Sequence, residues 1–290
     1  MKLIALDMDG TTLNSHKEIS SENIEAVKKA QQYGHIVMIL SGRSSLLIHE
    51  QLSKHHLNCP VGGNNGAELY AEGKLIETTS LTSVQSHQIA IEIENEKLPY
   101  KIGTNKGTFV HKDWFERFDQ ILASGRVPSE YFEHKDYQIF TASPTVYGQG
   151  FFQQFEDIIY GNSLVQKFFI LSLDPEQKQR LQTKLQAIEG IYVTSSSPFN
   201  LEITHINGNK GNGLIKMARH FHIPLKNTIA IGDERNDLPM FHTAGLSIAM
   251  GNADEEVKKH CDLITLTNDE NGVAYAIENY ILKESYKSTL

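Results

Sequence analysis

Cysteine is scarce in this chain: among 290 residues there are two, Cys59 and Cys261. They lie far apart and outside any CxxC or Cys/His spacing, which excludes a disulfide scaffold and a structural zinc module and fits reduced thiols. Long apolar runs are missing too. Stretches such as Ile36–Leu40 and Ile229–Ile231 are strand length and far short of a membrane span. The chain opens straight into Lys2-Leu3-Ile4-Ala5-Leu6 without a signal-peptide pattern, so the expected location is the cytoplasm, with no membrane partner. Basic blocks are likewise absent. Lys and Arg number 27 against 35 Asp and Glu, a net charge of −8, and such a surface repels nucleic acid. No internal repeat or low-complexity tract occurs. An apolar fraction of 40% is that of an ordinary globular protein, and the length suits one or two domains. Nothing in the pattern specifies an oligomeric state.

What is present is an alternation of strands and helices. Lys2–Leu6 reads as a strand. Ser20 reads as the N-cap of a helix to about Tyr33, closed by Gly34. Ile36–Leu40 is a second strand, Arg43–His55 a helix, and Cys59–Val61 a short third strand. Glu68–Tyr70 and Leu75–Glu77 flank Glu72-Gly73 as a hairpin. The texture changes from about residue 82 to 197, where a helix (Val84–Lys97) meets short extended pieces at Tyr100–Gly103 and Thr108–His111. A helical stretch near Gln153–Tyr160 precedes the strand Val165–Leu173, a helix from Pro175 capped by Asp174, and the strand Ile191–Thr194. Alternation then resumes through helix Lys210–His220, strand Thr228–Ile231, helix Asp237–Ala244, strand Leu246–Ala249, helix Glu255–His260, strand Leu263–Leu266 and helix Val273–Ile281. The pattern predicts an α/β protein. Its doubly wound, Rossmann-like parallel-sheet core is built from residues 1–82 and 198–290, and a second α/β domain, residues 83–197, is inserted between them.

Four motifs fall at the C-terminal ends of predicted strands, where open α/β sheets bind ligands. The first is Asp7-Met8-Asp9-Gly10-Thr11-Thr12-Leu13. Two carboxylates at i and i+2 after a buried strand are costly unless a cation neutralises them, which points to Mg²⁺. With one as nucleophile and the other as proton donor, the chemistry is phosphoryl transfer through an aspartyl phosphate. The other reading of these residues is a strand running into an Asp-Gly turn. The second motif is Ser41-Gly42-Arg43. A hydroxyl and a glycine amide there can hold phosphate oxygens at a helix N-terminus, or they form a simple N-cap. The third is Lys210 within Gly208-Asn209-Lys210-Gly211-Asn212-Gly213. A lysine opening a helix is electrostatically unfavourable unless an anion is near, such as phosphate or the Asp7 carboxylate. The fourth is Gly232-Asp233-Glu234-Arg235-Asn236-Asp237, which supplies a second acidic half for a metal site.

Each motif alone is weak, but the four in this order are specific. With them the chain resembles the haloacid-dehalogenase-superfamily phosphatases of the Cof type over essentially its whole length. DMDGTTL, SGR, the Asn-Gly-Ala within Gly63–Ala67, NKGNGL and GDERNDLPM stand in that family's order. The resemblance implies Asp7 as the nucleophile and Asp9 as the group that protonates the leaving oxygen and then activates water. It implies Ser41, the Gly42 amide and Lys210 as phosphate ligands. Mg²⁺ would be held by the Asp7 carboxylate, the Asp9 backbone carbonyl and Asp233. Asn236 would complete the phosphate site, and Asp237 the metal site, acting on metal waters or on Lys210. Arg43 is expected to reach the substrate from the core, and the inserted domain to close over the site and read the leaving group. Thr12 departs from the family's common leucine, and Glu234 adds a carboxylate that faces solvent or a metal-bound water. The implied activity is a Mg²⁺-dependent phosphatase of small phosphomonoesters, sugar phosphates or phosphorylated cofactors. A phosphotransferase or mutase and a phospho-ligand sensor are the alternatives.

Other patterns fail on their own terms. Asp7–Glu18 has the length of an EF-hand loop, but Thr12 takes the required glycine position. The glycines around Lys210 satisfy neither GxGxxG nor GxxxxGK[ST]. His55-His56 and the His220/His222 pair have no companion ligands. Phe151-Phe152, Phe168-Phe169, Trp114 and Tyr131 read as packing residues.

Overall fold

The computed structural model describes residues 1–134, 137–138 and 150–283. It begins with β1 (Leu3–Leu6), four apolar residues that are all fully buried. A strand with no polar alternation needs cover on both faces, and helices provide it. The Ser20 side chain accepts the Asn23 amide to start helix Ser21–Gln32, and Gly34, at φ +78°, turns the chain into β2 (Ile36–Leu40). Helix Ser45–Ser53 leads to β3 (Val61–Gly63), and β4 (Glu68–Ala71) with β5 (Lys74–Thr78) makes the hairpin expected around Gly73.

The chain then enters a second compact unit. Its strands are β6 (Tyr100–Thr104), β7 (Gly107–His111), β8 (Gly150–Phe152), β9 (Val165–Leu171), β10 (Ile191–Thr194) and β11 (Asn200–His205). They form a sheet in the order β10-β11-β9-β6-β7-β8, antiparallel except at β7–β8. Helices Ser83–Glu96, Trp114–Ala123, Phe155–Tyr160 and Pro175–Gln186 belong to this unit. Returning, the chain adds β12 (Thr228–Gly232), β13 (Leu246–Ala249) and β14 (Leu263–Ile264) to the first sheet.

The first sheet runs β14-β13-β12-β1-β2-β3-β4-β5, parallel as far as β3 and antiparallel over the last two strands. From β1 the chain winds outward through β2 and β3 on one side. On the other side it winds outward through β12, β13 and β14, so the strand order reverses between β1 and β12. That switch point opens a crevice at the C-terminal ends of both strands, and residues 7 and 233 directly follow them.

The two units comprise Met1–Thr78 with Asn209–Leu290, and Thr79–Gly208. The chain therefore leaves the second unit about ten residues later than the change of texture at 197/198 suggests. β11 is the reason: it pairs with β9 and β10 in the second sheet, burying Leu201 and Ile203. The third strand also lies two residues beyond the expected Cys59–Val61. Its Gly63 is packed so close to the preceding helix, Ser45–Ser53, that a Cβ would stand 2.5 Å from the Ser45 nitrogen. Both cysteines are free thiols. Among the described residues no helix is long and apolar enough to cross a membrane.

Candidate active site

The end of β1 carries Asp7 into the crevice, where it is 5% exposed. The backbone behind it is fixed twice, because the Asp7 amide donates to the Ile231 carbonyl and the Thr12 hydroxyl donates to the Asp7 carbonyl at 2.5 Å. Thr12, a departure from the family pattern, thus has a local structural task. Gly10 stands at φ +74°, and a Cβ there would lie 2.1 Å from Asp233 Oδ2. Only glycine lets the two acidic loops meet this closely.

Lys210 opens helix Lys210–His220 and is completely buried. Its Nζ donates to Asp7 Oδ1 at 2.5 Å and to Asp237 Oδ1 at 2.6 Å. The other oxygen of Asp237 accepts the backbone amides of Asp233 and Glu234, each at 2.9 Å. Asp237 is therefore the anchor that fixes Lys210 and the β12 loop together. Asp233, 3% exposed, accepts the Thr11 hydroxyl at 2.9 Å and the Asn252 side-chain amide at 3.3 Å. Carboxylate oxygens of Asp7, Asp233 and Asp237 all lie within 4.8 Å of one another.

Three buried carboxylates face one ammonium. Burial pushes the Asp7 carboxyl up to about 7; Lys210 opposes that shift and Asp237 reinforces it. Burial, together with Asp7, Asp237 and Glu234, raises Asp233 well above its ordinary value. Burial disfavours the Lys210 ammonium, but the Asp237 and Asp7 carboxylates overcome this and hold its pKa above the ordinary lysine value. A surplus of buried negative charge on hard oxygen donors fits a divalent cation, which carboxylates of Asp7, Asp233 and Asp237 could hold.

Asp9 is placed differently from the other acids. Its carboxylate is outside the trio, held by Arg43 through Nε and Nη2, each at 2.7 Å, and by Lys17 Nζ at 3.2 Å. Burial alone would raise its pKa, but the hydrogen bonds and charge of Arg43, aided by Lys17, leave it below the ordinary value. Arg43, expected to reach for substrate, is thus engaged with Asp9. Ser41 is buried at the end of β2, its hydroxyl accepting the Arg43 amide at 3.2 Å and its carbonyl accepting the Asn65 amide at 2.8 Å. Gly42 lies between them on the same loop. Asn236 donates through Nδ2 to Asn65 Oδ1 at 3.2 Å, while its own buried Oδ1 has no hydrogen-bond partner among the described residues. A ligand donor is the missing complement.

The structure brings Asp7, Lys210, Asp233 and Asp237 together as neighbours; sequence reasoning gave no role to Thr11 and Asn65, which lie within the quoted motifs, and did not single out Lys17 or Asn252. Asn252 donates to the Gly10 carbonyl at 2.9 Å as well as to Asp233, and accepts the Asn268 amide. One signal pointed to it, namely its place just after the apolar strand β13.

The chain as a whole has known relatives. The family model for haloacid dehalogenase-like hydrolases matches residues 4–277, and the chain belongs to that family. Phosphatase YwpJ of Bacillus subtilis is 30% identical over 288 residues, covering 97% of this chain and all of the relative. The 5-amino-6-(5-phospho-D-ribitylamino)uracil phosphatase YwtE of the same organism is 31% identical, with 97% and 98% covered. A solved haloacid dehalogenase-like hydrolase from B. subtilis superposes with a TM-score of 0.84 at 29% identity, over 97% of this chain and 100% of the other. The protein is an enzyme that hydrolyses phosphomonoesters.

Proposed function

We propose that this enzyme is a Mg²⁺-dependent phosphatase of small organic phosphates, acting through a phosphoenzyme on Asp7. The observation that carries the proposal is the buried Lys210 ammonium shared between Asp7 and Asp237 beside Asp233. Lys210 orients Asp7 through Oδ1, so a carboxylate oxygen can attack phosphorus as the ester P–O bond breaks. The leaving oxygen takes a proton from Asp9. In the second half, water attacks the same phosphorus, Asp9 takes the water's proton, and the Asp7–phosphate bond breaks. Mg²⁺, when bound, offsets charge on the phosphoryl oxygens.

Asp9 is ionised while Arg43 holds it, which is the form needed as a base. To act as an acid it must take up a proton, and that requires the Arg43 pair to open. A bound phosphorylated ligand that draws the guanidinium away would do this, which gives Arg43 a substrate-dependent part. Ser41, the Gly42 amide and Asn236 are assigned to the phosphoryl oxygens, in keeping with the strand-end position of Ser41. The unit inserted between β5 and helix Lys210–His220 is assigned the recognition of the leaving group. Sugar phosphates and phosphorylated cofactors or their precursors are the proposed substrate classes. The second gains support from YwtE, whose name specifies a phosphorylated ribityl compound. The free thiols suit a cytoplasmic setting.

The test is phosphate release from a panel of sugar, nucleotide and cofactor phosphates, with Mg²⁺ and with EDTA. Release that needs the metal and disappears in Asp7→Asn, with the variant's melting temperature preserved, is the expected result. Turnover persisting in Asp7→Asn would sink the covalent mechanism. Phosphoryl transfer to an added sugar rather than to water would reclassify the enzyme as a transferase.

A further inference from the structure

The sheet of the second unit has two unlike faces. In antiparallel pairs, directly opposed residues share a face, and along a strand every second residue does. Tyr100, Ile102, Phe168, Ile170, Leu201 and Ile203 make one face, all essentially buried in the unit's apolar core. The register sets Lys101 opposite Phe169 and Phe169 opposite Glu202, with Gly103, Lys167 and Thr204 in the adjacent row. The second face therefore carries charge at its centre.

On that face Lys167 is matched by Glu202, Nζ to Oε2 at 2.7 Å. Lys101 is not so matched. Its ammonium lies 4.8 Å from the Trp114 ring centroid and 5.6 Å from that of Phe169, and it has no carboxylate partner among the described residues. Burial, and behind it the Lys167 charge, lowers its pKa to about 8. A second polar group on this face is also unsatisfied. Thr204, opposite Lys167, is fully buried, and its Oγ1 has no hydrogen-bond partner among the described residues. Two ammonium groups with one carboxylate, an orphan hydroxyl and flanking rings lack one component, an anion with acceptor oxygens. Lys167, Glu202 and Thr204 are buried, whereas Lys101 keeps part of its surface exposed and is the point at which a solute can approach this face.

We propose that this face of the inserted unit is an oxyanion-binding site. Lys101 is the primary contact for a carboxylate or phosphate group of a small organic ligand, Thr204 supplies a hydroxyl and Phe169 flanks the ligand, with the buried Trp114 ring beside the Lys101 ammonium. The site stands independently of the mechanism assigned to Asp7, and its test keeps the two apart.

Trp114 is the sole tryptophan of the chain, so its emission reports on the site directly. The full-length Asp7→Asn variant in EDTA is titrated with inorganic phosphate, malonate and citrate, with sodium chloride at matched ionic strength and glycerol as controls. The expected result is a saturable change in Trp114 fluorescence with the oxyanions only. Affinity should fall about tenfold or more in Lys101→Met and be largely kept in Lys101→Arg. Should Lys101→Met fail to fold, Thr204→Val is expected to weaken the same response. No response to any oxyanion, or an equal response in a folded Lys101→Met, overturns the site. Kinetics of Lys101→Met with Asp7 intact then locate the anion. A raised KM for phosphomonoesters bearing a second anionic group, with p-nitrophenyl phosphate unaffected, places it on the substrate. Unchanged KM throughout places the bound anion on a separate ligand.

Discussion

At the scale of single residues, Lys210 is the group on which the charge balance of the crevice depends. It is the fully buried cation hydrogen-bonded to both Asp7 and Asp237. Replacing it by methionine keeps the volume of the stem and removes the charge, leaving three buried carboxylates facing one another. Breaking a buried ion pair in this way costs about 3–5 kcal/mol, and the loss should appear as a lowered melting temperature of Lys210→Met in EDTA. Activity is expected to fall by about 10²–10³-fold, because Lys210 orients Asp7 and faces the charge that develops on the transferring group. An unaltered melting temperature would show that the carboxylates are solvated rather than enclosed. Asp7→Asn is the converse change, since it removes one of the mutually repelling charges. That variant should retain or gain stability while losing turnover. Asp7 and Lys210 were legible in the sequence because strand-end carboxylates and a lysine at a helix start are anomalies that demand partners. The attachment of Arg43 and Lys17 to Asp9 was not legible, since nothing in a sequence says which of several nearby cations a carboxylate will meet.

At the scale of elements, the placing of Lys210 depends on how tightly its helix is seated. Gly211 follows it directly, and a Cβ there would lie 2.5 Å from the Pro239 carbonyl oxygen. Gly213, two residues on and so on the opposite side of the helix, approaches the Gly66 backbone, with a Cβ 3.1 Å from Gly66 Cα. Helix Lys210–His220 is thus pressed against the short helix Leu238–Phe241 on one side and the Asn64–Gly66 turn on the other. Alanine at 211 would favour an isolated helix by about 1 kcal/mol. Overlap with a backbone carbonyl outweighs that gain, with overpacking costing about 1–3 kcal/mol. Gly211→Ala is therefore expected to be less stable than the parent and to lose activity beyond its loss of folded protein, measured as kcat on the folded fraction. A stabilised and fully active Gly211→Ala would show that the helix can shift without disturbing Lys210. The same kind of contact limited the reading of elements from sequence. Most strands and helices were legible from period and caps, as at Ser20, Asp174 and Ile36–Leu40. The strand β11 was not assigned although Asn200–His205 alternates, because the serine-rich turn before it resembles a linker back to the core. The helix Trp114–Ala123 was passed over as well, although Trp114, Phe118 and Ile121 stand at the i, i+4, i+7 spacing of one helix face.

For the whole molecule, the acidic crevice ties fold stability to pH and to metal together. The Asp7 carboxyl is raised from an ordinary 3.8 to about 7 in the folded chain, and Asp233 shifts in the same direction. Between those two values the folded protein holds a proton that the unfolded chain has already released. Stability contributed by Asp7 is therefore complete below about 3.8 and is lost as pH rises through about 7, at up to about 1.4 kcal/mol per pH unit. Asp9 acts in the opposite sense, its lowered pKa contributing stability above the ordinary carboxylate value and losing it only in acid. The raised Lys210 is constant across this window, since it gives up its contribution only above the ordinary lysine range. Metal-free protein should consequently lose melting temperature between pH 5 and pH 8. A divalent cation bound by Asp7 and Asp233 favours their ionised forms, so saturating Mg²⁺ should flatten that slope and raise the melting temperature more at pH 8 than at pH 5. Calorimetric scans at the two pH values, in EDTA and in Mg²⁺, measure both effects, with Asp7→Asn expected to reduce the slope in EDTA and the metal shift alike. Parallel curves with and without metal would mean that the trio carries no cation. The surplus of buried carboxylate would then have to be met by protons alone.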